Sequence, residues 1–274
     1  MDKNSANTKK EKLINKLREM PSLMIAFSGG VDSSFLLAVA CKALKDRVLA
    51  ATADSSTFPL RERQEAVEFA KVLGVEHIIF RSGESEIPEF AANNPDRCYH
   101  CKKALSVSLK KIAEEKGISH IAFAANTDDL TDYRPGTKAA EEMGIISPLM
   151  DAGLNKEEIR FLSREMGLST WDKPSMACLA SRIPYGTVIT ADKLKTVEEA
   201  EDFLFQMGFR QLRVRHHGPV ARIEAARTDL PSFLEEDLRT KIVKRFKELG
   251  FKHISLDLEG FVSGSMNRSL QDNY

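Results

Sequence analysis

Residues 24–37, Met24-Ile25-Ala26-Phe27-Ser28-Gly29-Gly30-Val31-Asp32-Ser33-Ser34-Phe35-Leu36-Leu37, run from a short apolar stretch through a hydroxyl-rich Gly-Gly turn into a second apolar stretch. The order predicts a buried strand, a tight loop and the first turns of a helix. Paired glycines let the backbone approach a ligand and accept positive φ without a Cβ penalty, while the N–H groups of a helix start face an anion. Ser28, Ser33 and Ser34 add hydroxyl donors, and Asp32 offers a hard oxygen suited to Mg²⁺. No lysine follows the glycines, so this is not the Gly-x-x-x-x-Gly-Lys loop of the common nucleoside triphosphatases.

A chain of 274 residues, 42% hydrophobic and 29% charged, can bury one large core or two smaller ones. Forty basic and forty acidic residues cancel, so no whole-molecule field draws it to nucleic acid or anionic lipid. Residues 1–16 are polar and lysine-rich, without the apolar stretch of a secretion signal, and no apolar run reaches spanning length. A cytoplasmic protein with neither membrane nor nucleic-acid partner is expected. The four cysteines, Cys41, Cys98, Cys101 and Cys178, do not suggest a disulfide framework, and Cys41 reads as a small buried hydrophobe.

Outward from the loop, short apolar runs at 23–27, 48–53, 77–80 and 120–124 alternate with helical patterns at 33–45, 59–73 and 101–116. Gly74 and Gly117 stop two of the helices. This is the texture of an α/β fold, a Rossmann-like parallel sheet occupying residues 1–150. Such sheets bind ligands at the carboxyl ends of their strands, where the Gly-Gly loop, Asp54-Ser55 and Asn126-Thr127-Asp128-Asp129 all fall. Residues 151–189 read as a connecting segment, with a helix at 155–166 and an irregular active-site loop at 171–186. Residues 190–274 read as a smaller C-terminal α+β domain: helices at 190–207 and 231–249, a strand pair at 212–216 and 221–225, and a last strand at 253–258.

Pro95-Asp96-Arg97-Cys98-Tyr99-His100-Cys101-Lys102 places two thiols at metal-ligand spacing just before a helix, among basic neighbours that favour the thiolate. Cys178 adds a third from the irregular loop. Three thiols with no obvious fourth suit an iron–sulfur cluster with an open iron, whereas His100 or His77 would complete a zinc site instead. Asp128, Asp129, Arg134 and Lys138 follow the fourth strand, either as Mg²⁺ and phosphate partners or as an ordinary solvated helix start. Arg182, Arg213, Arg215 and Arg222 carry guanidinium forks that match phosphate oxygens, and Arg213 and Arg215 alternate onto one strand face. Glu201 and Glu224 are candidates to orient them or a ribose, with surface carboxylates, and a solvent-facing strand for the arginines, as the plain alternative. Trp171 reads as a ring-stacking residue or, more simply, a core anchor.

The segment Ser28–Ser34 resembles the Ser-Gly-Gly-x-Asp-Ser signature of PP-loop ATP pyrophosphatases, which cleave ATP between its α and β phosphates. Three further motifs extend the likeness: Asn126-Thr127-Asp128-Asp129-x-x-Asp132-Tyr133-Arg134-Pro135-Gly136, Lys173-Pro174-Ser175-x-Ala177-Cys178-Leu179-Ala180-Ser181-Arg182 and Arg213-Val214-Arg215. With Gly264-Ser265-Met266-Asn267 they make the chain, from residue 13 to 267, similar to the LarE family of ATP-dependent sulfur transferases. The resemblance implies an adenine nucleotide alpha hydrolase-like fold and adenylation of the carboxylates of pyridinium-3,5-biscarboxylic acid mononucleotide. Their conversion to thiocarboxylates then serves the nickel-pincer cofactor of lactate racemase. It implies ATP at Ser28, Gly29, Gly30, Asp32, Ser33, Ser34, Asp54 and Asn126, with Mg²⁺ on Asp32 and Asp129. It implies substrate at Arg182, Arg213, Arg215, Arg222 and Glu201. One form of the family sacrifices the sulfur of a lone cysteine matching Cys178. The other holds a [4Fe–4S] cluster on three cysteines, and Cys98, Cys101 and Cys178 place this chain there, with Asp32 and these cysteines as its catalytic residues. Expected partners are the mononucleotide, a sulfide donor, a nickel-inserting enzyme and further copies of the chain. A tRNA thiolase and a non-catalytic nucleotide-binding module are the alternatives.

Overall fold

A computed structural model describes residues 2–130, 135–175, 177–262 and 264–268. Asp132, Tyr133, Arg134 and the side chain of Asn267 lie outside them. In chain order the elements are α1 (Lys3–Arg18), β1 (Leu23–Ala26), α2 (Val31–Leu44), β2 (Val48–Asp54), α3 (Leu60–Leu73), β3 (Glu76–Arg81), α4 (Pro88–Ala91), α5 (Arg97–Lys116), β4 (His120–Ala122), α6 (Pro135–Glu142), α7 (Pro148–Asp151) and α8 (Lys156–Glu165). There follow α9 (Ala191–Gln206), β5 (Leu212–His217), β6 (Val220–Ala225), α10 (Glu236–Glu248) and β7 (His253–Leu256). The chain divides into two compact units, one of Met1–Ile87 with Asp96–Met176, the other of Pro88–Pro95 with Ala177–Tyr274.

In the first unit the strands form a parallel sheet of order β3-β2-β1-β4. Strand β1 is buried on both faces, as parallel strands are: Leu23 and Ile25 join one apolar cluster, and Met24 joins the other. The first cluster is filled by α1, α2 and α8; Leu109 and Ala113 of α5 and Ala140 of α6 fill the second. Helix α2 buries Phe35, Leu36, Leu37, Val39 and Ala40, so it is apolar around nearly its whole circumference and sits centrally. Successive strands step from β1 to β2 to β3, and the chain then crosses to pair β4 with the other edge of β1. That reversal is a topological switch point, and the loops leaving β1 and β4 flank it.

Helix α1 is not evident from the sequence because its apolar positions are sparse; Ala6, Leu13 and Leu17 are enough to anchor it. Residues 156–165, which the sequence assigns to a connecting segment, bury Ile159 and Leu162 in the core beneath β1. The expected helix at 231–249 begins only at Glu236, because Arg227–Leu234 is a 3₁₀ helix containing Pro231.

In the second unit β5 pairs antiparallel with β6, and β6 parallel with β7. Leu212, Val214, Ala221, Ile223 and Ala225 pack on Leu204, Ile242 and Phe246. The alternation of β5 therefore puts Arg213, Arg215 and His217 on the opposite face, across from Glu224, Arg222 and Val220.

Candidate functional site

The loop after β1 is built by close approach. Gly29 has φ +65°, and a Cβ there would lie 3.0 Å from Ala66 Cβ on α3, so a side chain is excluded by conformation and by space. Ser28 Oγ lies 3.1 Å from Ser33 Oγ and accepts from Gly30 N–H at 3.4 Å, while Ser33 Oγ donates to Gly30 O at 3.2 Å. Lys173 fastens the loop from outside: its Nζ donates to Gly29 O at 3.1 Å and bridges Glu62 and Glu65 at 2.7 and 2.6 Å. Ser34 Oγ and Asp32 Oδ1 are buried and have no hydrogen-bond partner among the described residues. The other oxygen, Asp32 Oδ2, accepts from Lys156 Nζ at 2.5 Å. Burial pushes the Asp32 carboxyl above its ordinary range, Lys156 opposes that, and the neighbouring charge of Asp129 reinforces it.

Asn126 and Asp129 leave the adjoining strand together: Asn126 N–H donates to Asp129 Oδ2 at 3.0 Å, and Asn126 Oδ1 accepts from Asp128 N–H at 2.9 Å. The structure thus brings Asp32 and Asp129, two of the sequence candidates, to the same end of the sheet. Asp54 lies at the end of β2, ion-paired with Arg63.

The arginine face of the second unit is a network of buried ion pairs. Arg182, 0% exposed, donates through Nε and Nη2 to Glu201 at 2.8 and 2.9 Å and through Nη1 to the carbonyls of Ala177 and Cys178 at 2.6 and 3.2 Å. Arg215 makes a two-pronged pair with Glu224 at 2.9 and 2.6 Å and donates to Ser181 O at 2.8 Å. Arg222 joins the same carboxylate at 3.0 Å. Burial would raise the Glu201 carboxyl, but Arg182 above all, then Arg213 and Val214 N–H, hold it below its ordinary range. Arg213, over the ring of Phe261 at 5.0 Å, is pushed down to about 10 by burial and then by the charge of Arg182. Arg222 Nε also lies 3.5 Å from Asp257, so among the described residues the four guanidiniums meet three carboxylates, Glu201, Glu224 and Asp257, and the face keeps an excess of positive charge.

Cys98 and Cys101 fall within the first turns of α5, not in a loop before it, because the helix starts directly after Asp96. Three residues apart, they share one helix face. A Cβ on Gly136, at the start of α6, would meet Cys98 O at 3.3 Å, so that turn packs tightly. Cys178 is exposed at the head of the 3₁₀ turn Leu179–Arg182, in the other unit. Among the described residues no three His, Cys, Asp or Glu side chains are gathered as a metal site. His77 Nε2 is instead bonded to Thr52 Oγ1 at 2.8 Å, and His100 Nε2 to Asp96 at 3.2 Å.

The asparagine synthase family model matches residues 14–109, the span from α1 through the glycine loop into α5. The pyridinium-3,5-bisthiocarboxylic acid mononucleotide synthase of Lactiplantibacillus plantarum is 36% identical over 264 residues, 96% of this chain and 95% of that protein. The chain belongs to the LarE family. An uncharacterised protein of Synechocystis sp. is 39% identical over 96% of this chain and 98% of its own length. An uncharacterised protein of Methanocaldococcus jannaschii is 31% identical over 92% of this chain and 94% of its own length. A LarE-family chain with this sheet and loop is an ATP-using enzyme of the PP-loop class. Among the described residues no helix is long and apolar enough to cross a membrane.

Three residues of this LarE-family chain that the reading of the sequence passed over stand out in the structure. Lys156 follows an ordinary helix cap, which carries no signal of its role. Lys173 lies within a quoted motif, but its target, Gly29 O, is 144 residues away. His217 continues the alternation of Arg213 and Arg215, a legible signal, and its Nε2 is buried without a hydrogen-bond partner among the described residues.

Proposed function

We propose that the chain is an AMP-forming sulfur transferase that converts the carboxylates of pyridinium-3,5-biscarboxylic acid mononucleotide, one after the other, into thiocarboxylates for the nickel-pincer cofactor of lactate racemase. The observation that carries this reading is the likeness, over 95% of its length, to a protein named for the bisthiocarboxylic product. A carboxylate is a poor electrophile because hydroxide leaves badly. Attack of its oxygen on the α-phosphorus of ATP expels pyrophosphate and leaves a mixed anhydride from which AMP departs readily.

The chain supplies positioning and charge for that displacement. Ser28, Gly29, Gly30, Ser33 and Ser34 hold the phosphates, and Asp54 and Asn126 border the nucleotide. The buried, unpartnered Oδ1 of Asp32 fits a hard cation, so Asp32 with Asp129 would hold Mg²⁺, which supplies charge neutralisation at the leaving pyrophosphate. Arg213, Arg215 and Arg222 take the phosphate of the mononucleotide, Glu201 and Glu224 hold the forks in place, and Arg182 fixes the loop that carries Cys178.

A sulfur nucleophile then attacks the acyl carbon and AMP leaves. Three thiols, two of them one helical turn apart, fit an iron–sulfur cluster by their donor chemistry, and such a group on Cys98, Cys101 and Cys178 would carry the sulfide. Without it, Cys178 Sγ itself attacks; loss of its Cα proton then breaks the Cβ–Sγ bond and leaves dehydroalanine. The test is product analysis with ATP and the biscarboxylate mononucleotide: AMP, pyrophosphate and thiocarboxylate are expected, and ADP with orthophosphate as sole nucleotide products overturns the reading. Anaerobically reconstituted protein should bind about four irons and turn over repeatedly with sulfide, and Cys98→Ala should stop it. A Cys178 lighter by hydrogen sulfide, with Cys98→Ala still active, overturns the cluster and leaves the sulfur transferase.

A further inference from the structure

The acid of the glycine loop already has a cation. Lys156 Nζ sits 2.5 Å from Asp32 Oδ2, and the two are partly buried, with side-chain exposures of 31% and 21%. The backbone of Lys156 is fixed independently. Asn155 and Glu158 form a reciprocal capping box at the start of α8, Lys156 N–H donates to Asp128 Oδ2 at 3.0 Å, and Thr127 N–H donates to Leu154 O at 3.0 Å. These contacts hold the helix end against the loop after β4, so the ammonium can leave Asp32 without any element moving. Its stem of four methylenes and its three donors suit such a swing.

Two further cations near the loop are differently placed: Arg160, whose charge also reaches Asp32, donates to the carbonyls of Trp171 and Lys173 at 2.9 and 2.7 Å. Lys173 is 13% exposed and is committed to Glu62, Glu65 and Gly29 O, which makes it a brace. Lys156 is thus the ammonium that meets the acid of the loop. Lys156 occupies Oδ2 and leaves Oδ1 open, but a dication on Oδ1 would share one carboxylate with the ammonium and face its charge at close range, which weakens metal binding while the pair stands. Phosphate oxygens are the natural alternative partner for a lysine, which binds them as a point charge.

We propose that Lys156 is a placeholder cation: it neutralises Asp32 until nucleotide arrives, then moves to the phosphate oxygens as the metal takes Asp32, so that metal enters with nucleotide and not before it. The inference rests on reading the glycine loop as the ATP site. It assigns Lys156 two partners in succession, which a fixed structural ion pair would not have.

The test measures binding, not turnover. Mn²⁺ affinity is read by the electron paramagnetic resonance of unbound Mn²⁺ in the absence of nucleotide, and the affinity of ATP is read by calorimetry in excess EDTA. Lys156→Met should bind Mn²⁺ about tenfold more tightly than wild type and metal-free ATP about tenfold more weakly, the loss of one charge-assisted hydrogen bond in each case. Lys156→Arg should keep both wild-type values, and Lys156→Gln stands in should the methionine variant unfold. Unchanged Mn²⁺ affinity, unchanged ATP affinity, or weakening of both overturns the proposal. If wild-type protein binds no ATP with or without metal, the ATP-site reading itself has failed.

Discussion

Gly29 shows how much of a loop one residue can determine. Its positive φ and the 3.0 Å approach to Ala66 Cβ mean that alanine would be strained twice, by about 1–2 kcal/mol for the left-handed backbone alone. Gly29→Ala should lower the melting temperature and weaken ATP binding by more than that strain accounts for; full ATP affinity in the folded variant would contradict a close phosphate approach. Glu201 makes a pH-dependent contribution. Its carboxyl is held below the ordinary value of 4.5 in the folded protein, since burial, which raises it, is outweighed by the charge and hydrogen bonds of Arg182, the charge of Arg213 and the Val214 N–H together. The stabilisation from its charged form is therefore complete above that value and is lost as pH falls through the lower folded value. Glu201→Gln, which leaves Arg182 buried without its counter-ion, should cost about 3–5 kcal/mol at neutral pH, with the deficit narrowing below pH 4.5 in urea titrations. A deficit that stays constant from neutral pH to pH 3 would refute the assignment.

At the scale of elements, the short stretch around α4 has an influence beyond its length. Asn93, buried and at φ +59°, shares its side-chain amide among the carbonyls of Ile183, Pro184 and Thr187 at 3.2, 2.7 and 2.9 Å. Gly186 N–H returns a bond to Asn93 O at 3.1 Å, and Ile189 N–H one to Ala91 O at 2.9 Å. These bonds join residues 88–95 to the irregular segment after Cys178, which has no ladder of its own. Asn93→Ala should destabilise the protein by about 2–4 kcal/mol, through unmet carbonyls and a side chain forced to positive φ. Limited proteolysis should then cut first between residues 177 and 189; protection equal to wild type would show that the bonds are dispensable. The strands of this region were legible because apolar and charged residues alternate along Leu212–His217. Helix α1 and the true start of α5 were not, since four apolar residues in sixteen, three of them in the second half, and a proline-preceded aspartate are weak signals beside tertiary packing.

For the whole molecule, formal charge balance conceals an internal imbalance. The arginine face of the second unit gathers more guanidinium than carboxylate, and Arg213 is there at a cost, its charged form disfavoured by burial and by Arg182. Sites that bind anions commonly carry such strain in the absence of ligand. Arg213→Met should therefore leave the fold as stable as wild type, or more stable by about 1–3 kcal/mol, while weakening the mononucleotide at least about tenfold and leaving ATP affinity unchanged. Equal loss of both ligands would point to a damaged fold and against a phosphate contact.

The parallel sheet, the glycine loop at its first strand and the arginine-bearing strand pair were written in the order of residues, because each depends on neighbours a few positions apart. Those local rules are a two- or three-residue alternation, a helix start and a turn. The sequence did not say that Lys156 would sit on Asp32, 124 residues away, or that Lys173 would brace Gly29. Nor did it say that Arg182 would be sealed against Glu201 while its fork holds the carbonyl of Cys178. Those pairings were decided by tertiary structure alone. Which charge meets which is set by where helices land on the sheet, and burial then turns a surface-type residue into an obligatory partner.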